Sequence, residues 1–281
     1  MDEKGLGKRL QAARRKAGLT QQELCQKANL SYSTLAKIER GAIKTPSVFT
    51  VQAIAEVLQI SLDELMGVSN NKLGRGSQKS KSGVSFVYFD VNGCLVRFYQ
   101  GASARVANDY GLAPELVEMA YLHFNDEICR GTMTMDAFNA AVAARLGIES
   151  LDWAKYYLEA AEPLLDMHQT LTWAAENYRI GLLTNIMPGI LAQLFEYGKI
   201  PALPYDVIVD SSVVGAIKPE SPIFTYAAEQ AGVPVDEILL IDDTQANLIA
   251  AEKSGWRVVW FDYARPEQSA AHVREVLELA E

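Results

Sequence analysis

The spacing of apolar residues changes character on either side of residues 68–83, a segment that has no apolar period. Before this segment, apolar residues recur at helical spacing only. After it, short apolar runs of strand length alternate with amphipathic helical stretches. The segment itself is rich in Ser, Gly, Asn and Lys, which is typical of a flexible linker. The sequence therefore predicts one domain over residues 1–67 and another over 84–281, joined by a linker over 68–83.

Charge divides along the same boundary. Residues 1–83 hold 14 Lys and Arg against 7 Asp and Glu, whereas residues 84–281 hold 12 against 28. A basic end on an acidic body indicates nucleic-acid contact by that end alone. A basic tail without any partner would have the same composition, so charge leaves both interpretations open.

The sequence gives little sign of a membrane or an oxidising compartment. No uninterrupted apolar stretch approaches the length of a membrane span, and Met1 to Lys4 do not resemble a signal peptide. The three cysteines show neither metal-ligand spacing nor a paired pattern. We therefore expect a cytoplasmic protein with no membrane contact, no disulfide framework and no zinc site.

Capping signals set the predicted helix boundaries of residues 1–67. Thr20 to Glu23 form a capping box at the start of one helix, Ser31 caps the next, and Ser61 begins a last one. A tight break separates the first two of these helices, as in a helix-turn-helix unit. Such a unit offers the exposed residues of its second helix to the major groove of DNA.

These motifs resemble those of the lambda-repressor/Cro-like (XRE-type) DNA-binding domain. The matching runs lie at residues 18–24, 31–41 and 61–65 and agree with that family in order and spacing. The resemblance implies double-stranded DNA as the partner, and such motifs usually bind palindromes as homodimers. The side chains that it implies for DNA contact are Gln21, Tyr32, Ser33, Thr34 and Lys37.

The roles of these side chains differ. Gln21 is expected at a phosphate or a base edge, Thr34 at a phosphate, and Lys37 at guanine acceptors. Tyr32 as an ordinary surface aromatic and Lys37 as a solvated charge are the alternatives. Glu39 is interpreted as one half of a local ion pair rather than as a base contact.

The second domain has the pattern of a parallel sheet with helices on both faces. Strands are predicted over residues 84–89, 179–183, 205–209, 238–241 and 257–261. Helices are predicted over residues 188–197, 221–231, 245–254 and 266–279. The interval from Asp90 to Thr184 is too long for one strand–helix repeat, and its surplus is helical in pattern. We therefore predict an inserted helical cap over about residues 102–161.

Polar residues follow the predicted strands at their carboxyl ends, which meet on one edge of a parallel sheet. They are Asp90, Thr184 with Asn185, Asp242 with Asp243, and Lys218 after the third strand. A carboxylate, a hydroxyl, a lysine and an acidic pair form a logical phosphoryl site. Asp90 would be the nucleophile, Lys218 and Thr184 would hold phosphate oxygens, and Mg²⁺ would lie between Asp90 and Asp243.

The pattern resembles the haloacid dehalogenase (HAD) superfamily of hydrolases over all of residues 84–281. Four motifs match in order, at residues 89–96, 183–185, 217–224 and 240–244. The resemblance implies an α/β Rossmann-like domain with a helical cap, and a small phosphorylated metabolite as ligand. It also implies Asn185 at the phosphate and Mg²⁺ on Asp90, on the backbone carbonyl of Asn92 and on Asp243. Asp242 would support that metal site or supply a further ligand.

The chain departs from the family motif at two positions. Family phosphatases carry Asp-x-Asp-Gly-Thr, in which the second Asp protonates the leaving oxygen and later deprotonates water. Asn92 stands at that position and Cys94 replaces the Thr. An amide cannot be a general acid or base at neutral pH, and such a loss costs roughly 10²–10⁴ in rate. Asn92 as a simple turn residue before Gly93 is the alternative.

Two functions therefore stay open at the level of sequence. The first is a sequence-specific transcriptional regulator whose HAD-like domain binds Mg²⁺ and a phosphorylated metabolite with reduced or absent turnover. The second is a Mg²⁺-dependent phosphatase that carries a DNA-binding module. Arg97, Tyr99 and Arg130 lie where the cap joins or faces the site, as substrate contacts or as ordinary surface residues.

Overall fold

The computed structural model describes residues 5–28, 30–43, 46, 48–58, 79–97 and 99–278. These residues fall into two compact units, one within residues 1–73 and the other within 74–281. The predicted helix beginning at Ser61 and most of the predicted linker lie outside the described residues. In the described part of the chain, no helix has both the length and the apolar composition needed to cross a bilayer.

The first unit is built from helices. Its described elements are α1 (Gly5–Lys16), α2 (Gln21–Lys27), α3 (Tyr32–Glu39) and α4 (Val48–Leu58). The capping box predicted from Thr20 and Glu23 is present at the start of α2. The Ser31 hydroxyl accepts a hydrogen bond from the backbone N–H of Thr34 and so caps α3. Because caps satisfy backbone groups that a helix end leaves unpaired, these residues set where α2 and α3 begin.

A small hydrophobic core joins the helices of this unit. Its most buried side chains include Leu10, Leu24, Leu35, Ile38 and Ile54. Beside this core, the guanidinium of Arg14 in α1 forms a bidentate ion pair with the Glu39 carboxylate, at 2.7 and 3.0 Å. The prediction of a local ion pair for Glu39 is therefore wrong, because its partner lies on another helix, 25 residues away.

The second unit contains a parallel sheet and a helical insertion. Its described strands are β1 (Phe86–Phe89), β2 (Val96–Arg97), β3 (Glu162–Pro163), β4 (Arg179–Thr184), β5 (Val207–Asp210), β6 (Ile238–Asp242) and β7 (Arg257–Trp260). Its described α-helices are α5 (Tyr99–Tyr110), α6 (Pro114–Cys129), α7 (Met135–Leu146), α8 (Trp153–Ala160), α9 (Leu165–Asn177), α10 (Ile190–Glu196), α11 (Ser211–Val214), α12 (Ser221–Ala231), α13 (Gln245–Lys253) and α14 (Pro266–Val276). The sheet order is β5-β4-β1-β6-β7, and all of these neighbouring strands are parallel.

Strand β1 lies at the centre of the sheet and is buried on both faces. Its side chains alternate, so that Phe86 and Tyr88 pack with α12 and α13, whereas Val87 and Phe89 pack with α9 and α14. The fold class predicted from the sequence is confirmed: a helical domain is followed by an α/β domain with helices on both faces of a parallel sheet.

The helical insertion leaves and rejoins the sheet domain through a short antiparallel pair of strands. Val96 pairs with Pro163 and Arg97 pairs with Glu162, so β2 and β3 lie side by side. Helices α5 to α8 lie between them in the chain and form the cap. Because β1 leads into β2 within a few residues, the cap begins close to the carboxyl end of the central strand.

Candidate functional site

The site begins at the carboxyl end of β1. Asp90 directly follows this strand, and its backbone N–H donates to the carbonyl of Ile241 in β6 at 2.9 Å. Thr184 ends the neighbouring strand β4, and Asp242 ends β6 on the other side. All three side chains are buried. Asp90, Thr184 and Asp242 therefore lie together at this edge of the sheet, as predicted.

Lys218 completes a buried charge cluster. Its Nζ lies 3.0 Å from Oδ1 of Asp90 and 2.5 Å from Oδ2 of Asp242. The loop that carries Lys218 is held by Asn185, whose side chain donates to the Lys218 carbonyl and accepts from the Lys218 N–H, both at 2.8 Å. The two residues predicted at the phosphate from different motifs are thus in direct contact.

Burial and charge act against each other in this cluster. Burial raises the pKa of Asp90 to about 8, while the nearby Lys218 ammonium opposes the rise. Burial also raises the pKa of Asp243 to about 6, and the charge of Asp242 adds to that effect. For Lys218, burial lowers the pKa, but Asp242 and Asp90 more than offset this and leave it above its usual value. A cation at Asp90 and Asp243 would favour their ionised forms.

The two carboxylates of the acidic pair lie in different surroundings. Asp242 is fully buried and accepts hydrogen bonds from Lys218, the backbone N–H of Thr244 and the amide of Asn247. Asp243 is half-buried and lines the cavity above the sheet edge. The geometry therefore gives Asp243 direct access to a ligand and gives Asp242 the role of holding Lys218. A metal bond to Asp242 stays a prediction.

Glycine at position 93 makes room for Asp243. Gly93 has a φ of +87°, and a Cβ placed there would lie 2.1 Å from Oδ2 of Asp243. A larger residue would displace this carboxylate and strain the backbone. On its other side, the indole N–H of Trp260 donates to the Asp243 carbonyl at 3.0 Å.

The residues present fit a hard divalent cation. One ligand atom each from Asp90, Asp243 and Cys94 lies within 4.8 Å of the others. Carboxylate oxygens suit Mg²⁺, which prefers oxygen ligands and keeps part of its water. Burial raises the pKa of the Cys94 thiol well above its usual value, so this sulfur stays protonated and is a poor ligand for Mg²⁺. Because Gly93 has no side chain, the Asp243 carboxylate approaches the loop that follows Asp90, and the expected cation would lie between these two carboxylates.

The hydroxyl of Thr184 is a further candidate contact for a ligand. This side chain is fully buried, and among the described residues its Oγ1 has no hydrogen-bond partner. A buried hydroxyl without a partner is costly, which indicates that a ligand atom completes its hydrogen bonding. An anionic oxygen beside Asp90 and Lys218 would do so.

Asn92 lies beside Asp90 with both ends of its amide engaged. The hydroxyl of Tyr157, in cap helix α8, donates to the Asn92 side-chain oxygen. The Asn92 amide nitrogen donates to the carbonyl of Asn185 at 3.1 Å. A side chain held on both sides is more than a turn residue, although the turn before Gly93 is present as well.

One cavity of about 560 Å³ lies at this edge of the sheet, and the fully buried Thr184, Asp242 and Cys94 do not line it. The sheet domain contributes Asp90, Asn92, Gly93, Asn185, Lys218, Asp243, Thr244, Asn247, Tyr263 and Ala264. The cap contributes Tyr121, Asn125 and Cys129 from α6, and β2 contributes Arg97. The volume suits a small molecule.

Arg130 does not line this cavity. Its guanidinium forms a bidentate pair with Glu220, at 2.6 and 2.7 Å, and so joins the end of α6 to the loop after Lys218. Of the two other cap-region candidates, Arg97 lines the cavity, and the side chain of Tyr99 lies outside the described residues. Arg130 therefore fastens the cap to the sheet domain.

The helix-turn-helix unit presents the predicted DNA-contact residues at its surface. Tyr32, Ser33 and Lys37 are exposed, while Gln21 and Thr34 are half-buried. Two of these side chains are connected, because the Tyr32 hydroxyl donates to the Gln21 amide oxygen at 3.0 Å. The Gln21 amide nitrogen in turn donates to Glu39 at 2.7 Å, so the buried ion pair supports this surface.

Two residues of these sites were not found from the sequence. Tyr157 is 65 residues from Asn92 and lies in a helix whose pattern indicates only packing. Arg14 looked like one of several surface cations on α1. In each case the partner is distant or a pattern is shared with ordinary surface residues, so only the fold identifies the contact.

Comparison with known proteins matches both units to families. A model described as haloacid dehalogenase-like hydrolase matches residues 84–255, and one described as helix-turn-helix matches residues 10–65. The chain is 44% identical over 62 residues to the immunity repressor protein of Bacillus phage phi105, covering 22% of this chain and 42% of that protein. It is 30% identical over 112 residues to the pyrimidine 5'-nucleotidase YjjG of Escherichia coli strain K12, covering 39% and 49%.

Another relative is drimenol cyclase drtB of Aspergillus calidoustus, 30% identical over 153 residues, covering 52% of this chain and 29% of that protein. The chain thus spans less than half the length of each of these relatives. Among solved structures, a predicted HAD-like family hydrolase from Porphyromonas gingivalis superposes with a TM-score of 0.56 at 22% identity, covering 68% of this chain and 98% of that one. A HAD family enzyme of Bacteroides thetaiotaomicron, solved with magnesium and inorganic phosphate, gives 0.52 at 17% identity, covering 64% and 96%.

The likeness to solved structures shows the fold, and the family models cover both units. The hydrolase match alone spans more than half of the chain. The chain belongs to the haloacid dehalogenase-like hydrolases, and over residues 10–65 it carries a helix-turn-helix domain.

Proposed function

We propose that this protein is a sequence-specific transcriptional regulator whose HAD-like domain binds Mg²⁺ and a small phosphorylated metabolite with reduced or absent turnover. The observation that carries the proposal is the position of Asn92. Its amide lies in the cavity with Asp90, held by Tyr157 and Asn185. An amide cannot exchange protons at neutral pH, so the group that should protonate a leaving oxygen is missing.

The rest of the site retains what binding requires. Mg²⁺ would be held by Asp90, Asp243 and the backbone carbonyl of Asn92, and when bound it would offset the charge of the phosphoryl group. Lys218 and the Thr184 hydroxyl, which has no hydrogen-bond partner among the described residues, would hold phosphoryl oxygens, with Asn185 fixing the Lys218 loop. A structural neighbour that was solved with magnesium and inorganic phosphate supports Mg²⁺ and a phosphate group as the molecules bound here.

The DNA contacts of the proposal lie on the first unit. Tyr32, Ser33 and Lys37 would reach base edges from α3, Thr34 would bind a phosphate, and Gln21 would bind a phosphate or a base edge. A homodimer on a palindromic site is part of the proposal, because helix-turn-helix dimers read two half-sites. The similarity to a phage immunity repressor supports a regulatory role. A cytoplasmic location is part of the proposal.

A phosphatase that carries a DNA-binding module is the second candidate. The observation that favours it is the intact contact of Lys218 with Asp90, at 3.0 Å, which keeps the nucleophile position assembled. Asp90 could then attack a phosphoryl group whose leaving oxygen needs no proton. For the bound ester, the two candidates differ in whether water hydrolyses it to orthophosphate and an alcohol.

Calorimetry with the full chain tests the leading proposal. Orthophosphate and a panel of small phosphate esters are titrated in the presence of Mg²⁺, and phosphate release is followed in parallel. We expect binding that Asp90→Ala and Lys218→Ala each weaken, with slow or undetectable release. Fast release by the unchanged chain would favour the phosphatase. Binding of neither orthophosphate nor any ester would contradict both candidates.

A further inference from the structure

The cap helix α6 forms one part of the cavity lining. Tyr121, Asn125 and Cys129 follow one another at four-residue spacing, so all three lie along one face of the helix. All three line the same cavity as Asp90 and Lys218. A phosphate ester bound with its phosphoryl group at Asp90 would therefore have its organic part in a cavity that α6 and β2 help to line.

Two of these cap residues set the polarity of that part of the cavity. Burial raises the pKa of the Cys129 thiol to about 12, so it is protonated at neutral pH. Its Sγ lies 3.5 Å from Oδ1 of Asn125, with the thiol as donor. This contact turns the Asn125 amide so that its nitrogen, which has no acceptor among the described residues, is left to donate to a ligand.

Arg97 supplies a positive charge to the lining of the same cavity. It lies in β2, lines the cavity and is exposed. One of its terminal nitrogens donates to the Tyr263 carbonyl at 2.7 Å, which holds the guanidinium at the cavity edge. Among the described residues no carboxylate forms an ion pair with it, although Glu162 is its neighbour in the β2–β3 pair. Arg97 therefore presents unused donors in the fork that suits a carboxylate or a phosphate.

The cavity is thus lined by two cationic side chains. Lys218, together with a cation on Asp90 and Asp243, would hold a phosphoryl group. Arg97 offers a guanidinium that pairs with no carboxylate among the described residues, and the Asn125 amide adds a donor from the cap. We infer that the ligand is a small phosphate ester that carries a second anionic group, a carboxylate or another phosphate, bound by Arg97. This inference rests on the proposed function, because it takes the phosphoryl end of the ligand as given.

Matched ligands separate the second anionic group from the phosphoryl group. Glycerol 3-phosphate and 3-phosphoglycerate differ at one carbon, a hydroxymethyl group in the first and a carboxylate in the second. Sorbitol 6-phosphate and 6-phosphogluconate form a second such pair. Each compound is titrated calorimetrically into the full chain at saturating Mg²⁺, with orthophosphate as the probe of the phosphoryl end alone. We expect the anionic member of at least one pair to bind about tenfold tighter or more.

The variant Arg97→Gln assigns that preference to a residue. We expect it to abolish the preference within the pair and to leave orthophosphate affinity unchanged, which also shows that the variant is folded. Arg105→Gln is the control, because Arg105 is exposed on α5 and does not line the cavity. It should keep the preference.

Three outcomes overturn the inference. The anionic members bind no tighter than their partners, or Arg97→Gln keeps the preference, or Arg105→Gln removes it as well. In these cases orthophosphate still binds and the proposed function stands. If neither orthophosphate nor any ester binds, the proposed function and this inference fail together.

Discussion

The hydroxyl of Tyr157 donates a hydrogen bond to the side-chain oxygen of Asn92, so a residue of the cap fixes the amide that lies beside Asp90. Tyr157 is almost fully buried, and burial raises its pKa well above the usual value, which keeps it a donor. The orientation that results directs the Asn92 nitrogen to the Asn185 carbonyl at 3.1 Å. The atom that replaces this nitrogen in a variant will therefore face an acceptor.

Asn92→Asp is expected to raise phosphatase activity. The new carboxyl oxygen would face the Asn185 carbonyl, and two acceptors in contact favour the protonated form, which can donate. The side chain would then supply a proton to the departing alkoxide and later a base for water. We expect a gain of at least ~10²-fold in phosphate release from an alkyl phosphate such as glycerol 3-phosphate. The gain should be smaller for p-nitrophenyl phosphate, whose leaving group needs no proton.

Asn108→Asp is the matched control for this variant, because Asn108 is exposed on α5 and does not line the cavity. It makes the same substitution outside the cavity and should leave phosphate release unchanged. If the unchanged chain already equals Asn92→Asp, the absence of the acid is not what limits turnover. No activity in either form would mean that the site binds without catalysis for further reasons, such as the loss of Thr at Cys94.

Asp243→Asn is expected to weaken Mg²⁺ binding. Asp243 lines the cavity and approaches Gly93, whereas Asp236 is exposed in the turn before β6. A neutral amide there removes one of the two carboxylates available to a hard cation. Calorimetric titration of the full chain with Mg²⁺ should show a clear loss of affinity for Asp243→Asn and none for Asp236→Asn. Equal effects would remove Asp243 from the metal site.

The placement of the site at the sheet edge was predictable, because strand ends are local signals. Apolar runs that stop at Asp90, Thr184 and Asp242 place those residues at the carboxyl ends of parallel strands. The helix predicted over residues 221–231 coincides with α12, since Pro222 and Gly232 mark its two ends. Strand β1 begins at Phe86 rather than at residue 84, because Val84 and Ser85 bond outside the sheet ladder.

What the sequence left open depends on contacts between distant residues. The difference between Asp242, which holds Lys218, and Asp243, which lines the cavity, is a matter of where each carboxylate points. Arg97 and Arg130 look alike in the sequence, yet Glu220 pairs with Arg130 and no described carboxylate pairs with Arg97. Such differences arise from packing between the cap and the sheet domain, which no local pattern encodes.

Lys37→Ala is expected to weaken DNA binding by the full chain and to reduce its salt dependence or its sequence preference. If Lys37 contacts a base, its loss should cost ~1–3 kcal/mol on the preferred site and little elsewhere. If it contacts a phosphate, binding should weaken on all sequences and the salt slope should fall by about 1. Fluorescence anisotropy at several salt concentrations distinguishes these results.

Lys253→Ala removes the same charge from the exposed surface of α13 and is the control. Identical binding by Lys37→Ala and Lys253→Ala would place Lys37 outside the DNA interface.

Arg14→Met is expected to destabilise the helix-turn-helix unit. It leaves the nearly buried Glu39 carboxylate without its cation, and breaking a buried ion pair costs about 3–5 kcal/mol. Burial raises the pKa of Glu39, but hydrogen bonds from Arg14 and Gln21 together have the larger, opposite effect, so this pKa lies below its usual value. The pair therefore contributes stability above the ordinary pKa of Glu, and that stability is lost as pH falls through the lowered pKa.

Hydrogen exchange of residues 5–58 measures this local stability. The exposed neighbour Arg15→Met should exchange like the unchanged chain at neutral pH, and an equal loss of protection in both variants would contradict a specific role for Arg14.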